Sequence, residues 1–162
     1  MLNRRNLLAS GSFVLLAAAV GMGRPQKAFA TGDVVVHTDA EWRKLLTADQ
    51  YAVLRQADTE RPFTSPLLHE SRAGVFSCAG CDLQNFSSKT KFDSGTGWPS
   101  FWAPIDNAVK QAEDKSFGMT RDAVSCSRCD GHLGHVFNDG PQPTGLRYCM
   151  NGIALKFTPT SA

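Results

Sequence analysis

Cys78-Ala79-Gly80-Cys81 and, after 44 intervening residues, Cys126-Ser127-Arg128-Cys129 are the stretches whose reading decides how this chain folds. Two residues between cysteines let both thiolates face one point, while amides of the turn donate to the sulfurs. Two such turns complete a tetrahedral four-sulfur site, for which one Zn2+ per chain is the expected ion. Gly80 and Gly131 stand where these knuckles need turn freedom. Two other arrangements compete. An oxidising compartment permits a disulfide across each Cys-x-x-Cys, although such a bond is redox-active rather than a staple. Cys126, Cys129, His132 and His135 also recur at three-residue intervals, but a site built from them leaves Cys78 and Cys81 without a role. The four-cysteine reading is preferred. Structural zinc in a small domain carries about 10–16 kcal/mol of apparent binding free energy, so this site is expected to hold the two halves of a sheet structure together.

The sequence around the knuckles has the texture of short strands. Val75-Phe76-Ser77, Ala123-Val124-Ser125, His135-Val136-Phe137 and Ile153-Ala154-Leu155 are β-compatible runs separated by Gly, Pro, Asp and Asn. Upstream, Thr38-Asp39-Ala40-Glu41 and Thr47-Ala48-Asp49-Gln50 have capping-box spacing, in which a hydroxyl and a carboxylate or amide satisfy orphan helix amides reciprocally. The spacing predicts one short helix through Leu46 and a second carrying Tyr51 and Leu54, ended before Arg61-Pro62. The fold class expected is mainly β (α+β): an antiparallel β domain with short N-terminal helices and a structural metal site.

The first thirty residues read as a targeting segment. Arg4-Arg5 precede a weakly apolar stretch, Leu7 to Gly23, interrupted by Gly11, Gly21 and Gly23 and followed by Ala28-Phe29-Ala30. Small-x-small is the pattern of a signal-peptidase site, and the arginine pair points to the twin-arginine route. The competing reading is a retained membrane helix, which the glycines and the short length disfavour. The expected organisation is a signal peptide over 1–30, a leader over 31–40 and one domain over 41–158, in a periplasmic or otherwise exported protein with no stable membrane association after cleavage. Arg4, Arg5, Arg24 and Lys27 are four of the 17 basic residues, and residues 1–30 hold no acid. The remaining 132 residues therefore carry 13 positive and 15 negative side chains, net −2, a balance that does not suggest a nucleic acid or an anionic membrane as partner.

Pairing four cysteines leaves Cys149 over, and an odd thiol in an exported protein needs an explanation. Leu146-Arg147-Tyr148-Cys149-Met150-Asn151 reads as a strand, on which Arg147, Cys149 and Asn151 project to one face. A guanidinium beside a thiol favours the nucleophilic thiolate, and Asn151 offers hydrogen bonds to a substrate or an imidazole. The alternative is an inert core cysteine. Gly131-His132-Leu133-Gly134-His135-Val136-Phe137 carries two imidazoles able to exchange protons near neutral pH, unless they are loop or core histidines. Ser94-Gly95-Thr96-Gly97-Trp98-Pro99-Ser100-Phe101-Trp102 suggests a tight turn presenting an indole, with a core tryptophan as the alternative.

These three segments, extended to Lys91–Phe101, Gly131–Phe137 and Gly140–Cys149, resemble the type B methionine sulfoxide reductases, which reduce the R epimer of methionine sulfoxide, mainly within proteins. The likeness runs from about Trp42 to Phe157, and the two Cys-x-x-Cys pairs occur where zinc-binding members of that family carry theirs. The resemblance implies two antiparallel sheets packed as a tent, with zinc on Cys78, Cys81, Cys126 and Cys129 at the end away from the catalytic cysteine. It implies that Cys149 attacks the sulfoxide sulfur and becomes a sulfenic acid, the reversible first rung of thiol oxidation. It further implies that His132 and His135 protonate and orient the sulfoxide oxygen, that Trp98 packs on the substrate methyl, and that Arg147 and Asn151 organise the site. Two departures stand out. Thr96 occupies the place of the usual resolving cysteine, and Gly152 stands where a serine is more usual. The implied partners are oxidised proteins and an external reductant, a thioredoxin-like protein or a small thiol, acting on a monomer. Rival readings are a non-catalytic zinc module on the same fold and a general thiol oxidoreductase that uses one Cys-x-x-Cys as its redox pair.

Overall fold

The computed structural model describes residues 34–114 and 121–160; the expected signal peptide and the first leader residues lie outside them. Both capping boxes are made. Thr38 accepts from the Glu41 amide while the Glu41 carboxylate accepts from Thr38 N at 2.7 Å, opening α1 (Asp39–Leu45). Thr47 and Gln50 do the same for α2 (Ala48–Gln56), which ends on Ala57 in the left-handed region. The helices bury Trp42, Tyr51, Val53 and Leu54. Arg55 reaches the Cys129 carbonyl at 2.9 Å, and the Val35 amide reaches Arg128 O at 2.9 Å. Leader and helices thus lie against the second knuckle.

Nine strands follow among the described residues. They are β1 (Gly74–Cys78), β2 (Gln84–Ser87), β3 (Lys91–Phe92), β4 (Ser100–Phe101), β5 (Val109–Asp114), β6 (Arg121–Cys126), β7 (His132–Phe137), β8 (Arg147–Met150) and β9 (Leu155–Pro159). They form two antiparallel sheets, one ordered β2-β1-β9 and one ordered β3-β4-β8-β7-β6-β5. The mainly β class with two short helices in front is what the sequence led one to expect. Aromatic rings join the sheets. Phe86 of β2 stacks on Phe101 of β4 at 4.5 Å, Phe76 of β1 meets the same ring edge-on at 5.0 Å, and all three are closed to solvent. Ring pairs of this kind add to the burial of their area, which is the main favourable term.

One expected strand is different. Ile153-Ala154-Leu155 does not run extended: Gly152–Ala154 is a 3-10 turn, and β9 starts only at Leu155. The reason is long-range. The Glu60 carboxylate accepts from Gly152 N at 2.5 Å and Ile153 N at 3.0 Å, capping the turn. Gly152 is also required by space, since a Cβ there would fall 1.8 Å from Ser65 Oγ and 2.8 Å from Ser65 Cβ. The buried Ser65 side chain therefore occupies the room that a residue with a side chain at position 152 would need. Gly152→Ser is expected to lower stability by about 1–3 kcal/mol through overpacking, and Ser65→Gly in the same chain should restore most of it. Urea midpoints of the three proteins measure this; an unmoved midpoint for the single variant would show that the Ser65 loop yields freely.

Candidate active site

The two knuckles bring their sulfurs together across the sheets. The Cys78–Cys129 Sγ distance is 3.6 Å and the Cys81–Cys126 distance is 3.5 Å, and all four sulfurs lie within 4.8 Å of one another. A tetrahedron with metal–sulfur bonds of about 2.3 Å has edges of about 3.8 Å, so the set fits a metal ion. The short contacts run between knuckles rather than within them, and all five cysteines are free thiols. Neither local disulfide is formed. Among the described residues this is the one cluster of metal-ligating side chains, so the mixed set with His132 and His135 is not assembled either. Gly80 N donates to Cys78 Sγ at 3.4 Å and Asn85 Nδ2 approaches Cys126 Sγ at 3.9 Å, contacts that help hold charge on the sulfurs. The left-handed residues of the knuckles are Asp82 (φ 59°) and Asp130 (φ 56°), not Gly80 and Gly131. Gly131 is instead needed for close packing, since a Cβ there would meet Leu54 at 2.9 Å.

Strand register builds the second centre. In the β7–β8 pairing His135 lies directly opposite Cys149, with Gly134 opposite Met150 and Phe137 opposite Arg147. On the other side of β8, Ser100 pairs with Cys149. A small cavity of about 100 Å³ opens here, lined by Thr59, Trp98, Arg121, Gly134, His135, Phe137, Cys149 and Asn151. Gly134 lets the strands approach: a Cβ on it would sit 2.1 Å from the Cys149 carbonyl oxygen. Both histidines lie on β7 rather than in a loop, with ring centroids 5.2 Å apart. Burial, followed by the neighbouring His135, pushes His132 down to about 4, so its ring is neutral at neutral pH. Its Nε2 is enclosed without a protein partner. His135 Nε2 lies 2.9 Å from Asp114 Oδ2, and Arg121 Nη2 donates to the same oxygen at 3.1 Å.

Arg147 is shared between Cys149, whose charged form it favours, and a carboxylate. Its guanidinium makes two 2.8 Å hydrogen bonds to the Asp139 carboxylate and lies over the Phe137 ring at 4.4 Å. With that charge matched, burial prevails at Cys149 and pushes its thiol up, against smaller opposing pulls from Thr96 and Arg147. Burial thus favours the protonated sulfur, while Arg147 pulls toward the thiolate as its place on the strand suggested. Asn151 lines the cavity, but its amide is engaged elsewhere: Oδ1 accepts from Glu60 N at 3.0 Å and Nδ2 donates to Leu133 O at 3.2 Å. Trp98 also lines it, with Nε1 donating to Glu60 O at 3.1 Å. Glu60 therefore touches Trp98, Asn151, Gly152 and Ile153, tying the segment after α2 to the end of β8. Sequence reading missed Glu60, Asp114, Arg121 and Asp139. A β7–β8 hairpin could have suggested Asp139 beside Arg147; Glu60 acts on residues some ninety positions away and leaves no local signal.

The SelR domain family matches residues 46–159. The chain belongs to the SelR family, the type B peptide methionine sulfoxide reductases. Among its relatives, the peptide methionine sulfoxide reductase MsrB of Pseudomonas putida (strain W619) is 58% identical over 120 residues, 74% of this chain and 90% of that protein. The protein of the same name from Bradyrhizobium diazoefficiens is 52% identical over 134 residues, 82% of this chain and 96% of its own. That from Methanosarcina barkeri is 54% identical over 124 residues, covering 76% and 87%.

The cluster geometry makes one direct prediction. Cys78→Ser should abolish tight metal binding and cooperative folding, because site assembly and folding are one equilibrium here. Metal content by plasma emission spectroscopy and the thermal transition by circular dichroism measure it; a stable, metal-free Cys78→Ser fold would contradict it.

Proposed function

We propose that this chain reduces methionine (R)-sulfoxide in proteins through Cys149, with His132 and His135 managing the proton and Zn2+ on Cys78, Cys81, Cys126 and Cys129 serving structure alone. The observation that carries the proposal is the pairing of Cys149 with His135 in a cavity walled by Trp98. A sulfoxide sulfur is electrophilic only once its oxygen is protonated or hydrogen-bonded, and the pairing of His135 with Cys149 supports an imidazole in that role. Neutral His132, with its enclosed Nε2, is suited to hold the oxygen by a hydrogen bond. His135, backed by the Asp114 carboxylate, is suited to supply the proton. The indole of Trp98 offers an apolar face to the methyl group on sulfur.

The step balances as an oxygen transfer. Cys149 sulfur attacks the sulfoxide sulfur, the oxygen passes to the cysteine, and methionine leaves as the thioether. The sulfoxide gains two electrons and Cys149 becomes a sulfenic acid. Thr96 cannot form a disulfide with it, and the four remaining cysteines face one another rather than Cys149. An external thiol therefore condenses with the sulfenic acid, releasing water, and a second thiol frees Cys149 as the donor disulfide forms. A thioredoxin-like protein or a small thiol fills this role. The grouping of the four cysteines into one cluster supports the structural metal over the reading in which one Cys-x-x-Cys is a redox pair. Zinc is the ion suited to four thiolates with no redox duty.

Two tests follow. Reduction of separated R and S epimers of a methionine sulfoxide peptide should be confined to R. Cys149→Ser should lose all turnover while keeping fold and metal, since an alcohol is a far weaker nucleophile; more than trace activity in that variant would remove Cys149 from the centre of the reaction. We also propose export by the twin-arginine route, on the strength of Arg4-Arg5 and Ala28-Phe29-Ala30. Changing both arginines to lysine should leave unprocessed precursor in the cytoplasm, as read by fractionation and immunoblot, and unchanged processing would point to the general secretory route.

A further inference from the structure

The side of Cys149 away from the histidines is lined by hydroxyls. Thr96 Oγ1 lies 3.8 Å from Cys149 Sγ, Ser94 Oγ lies 2.8 Å from Thr96 Oγ1, and Ser100 Oγ lies 2.7 Å from Ser94 Oγ. Ser100 Oγ is also 3.1 Å from the Trp98 carbonyl oxygen. Each hydroxyl has one proton to give, and a carbonyl can only accept. Ser100 must therefore donate to Trp98 O, Ser94 to Ser100, and Thr96 to Ser94. The sulfur is left as donor to Thr96, which requires it to be protonated. Along this path donor counting runs the hydroxyls from sulfur to the Trp98 carbonyl, in agreement with the burial that favours the thiol; Ser100 also interacts directly with the sulfur.

We propose that Thr96, Ser94 and Ser100 form a reversible hydroxyl chain that switches direction when Cys149 loses its proton, making Thr96 a catalytic residue. On deprotonation three hydroxyl rotations turn Thr96 toward sulfur, Ser94 toward Thr96 and Ser100 toward Ser94. Only the bond to the Trp98 carbonyl is given up. The chain carries no net proton; the thiol proton goes to the sulfoxide oxygen, directly or through the histidines. What the chain supplies is a donor to the thiolate, reinforced by the polarisation of successive hydrogen bonds. Thr96 is thus not merely a missing resolving cysteine in this chain but part of the machinery that makes a buried thiol reactive. The inference rests on Cys149 being the nucleophile, as proposed above.

The test reads the thiol directly, independently of turnover. In the full, metal-loaded chain the rate of Cys149 alkylation by iodoacetamide is followed against pH by mass spectrometry. The charged or titratable groups facing this sulfur are Arg147 on its own strand, held by Asp139, and His135 opposite, with His132, Asp114 and Arg121 around it. The β4 side contributes the hydroxyls and the Trp98 indole, with the Asp93 carboxylate in the same loop bonded to Gly95 N and Lys91 on the neighbouring β3. None of these groups changes in the variants. Thr96→Val keeps the shape and removes the hydroxyl. Its profile should move to higher pH, with an alkylation rate at neutral pH lower by about ten- to a hundredfold, the scale of one hydrogen bond to a charge. Thr96→Ser should restore the wild-type profile, and Ser94→Ala should shift it the same way by less. Wild-type profiles in Thr96→Val or in Ser94→Ala, with metal content and circular dichroism unchanged, would overturn the chain. Turnover by Cys149→Ser would instead overturn the assignment of the nucleophile.

Discussion

The rest of the molecule depends on the meeting of four sulfurs from two knuckles. Cys78 ends β1 in the three-stranded sheet and Cys126 ends β6 in the six-stranded one, so the cluster joins the sheets at the two turns that leave them. Without a bound cation, four sulfurs this close would have to share protons in a largely buried site. Like charges crowded at this spacing repel, so the four cannot all be thiolates unaided. A divalent ion bound there would remove the conflict by accepting all four as thiolates. The aromatic contacts of Phe76, Phe86 and Phe101 then act between sheets whose relative placement is already set.

From that cluster the geometry around Cys149 follows by register. The second knuckle leads directly into β7, so fixing Cys129 fixes where β7 starts, and the β7–β8 pairing carries the placement to His135 and Cys149. In a β ladder a slip of one residue moves every side chain to the opposite face. The backbone approach permitted by Gly134 opposes such a slip, because any Cβ brought to that place meets the Cys149 carbonyl. Glu60 does the equivalent task at the end of β8, where the strand must turn through Gly152 without moving Asn151. The four-cysteine cluster and a distant carboxylate thus position Cys149, which neither one touches.

This division explains what could be read from the chain. Features written in short spacings were legible: both capping boxes, the Cys-x-x-Cys knuckles, most strands, and the unpaired Cys149. Features that join distant segments were not. The Ile153-Ala154-Leu155 run has β-forming residues, yet the Glu60 carboxylate on a segment ninety positions earlier converts its start to a turn. Arg147 is the charged neighbour of Cys149 that its place on the strand suggested, but its second partner, Asp139 from across the hairpin, was not legible. Residue type told which groups could interact; only the fold told which of them did.

The neutral resting state of Cys149 follows from the same economy of neighbours and suits an oxygen-transfer centre. A thiolate held permanently low would be nucleophilic but open to oxidation by any peroxide that reached it, since susceptibility follows thiolate character and exposure. Burial instead keeps the proton on sulfur, with the hydroxyls of Thr96 and Ser100 on one side and the imidazole of His135 on the other. In the proposed reaction a sulfoxide in the cavity would change the balance, because its oxygen would accept that proton. Under that proposal, formation of the nucleophile and activation of the electrophile would become one event, governed by whether a substrate is present. In such a site the arginine-carboxylate pair of Arg147 and Asp139 stabilises charge without supplying it in advance.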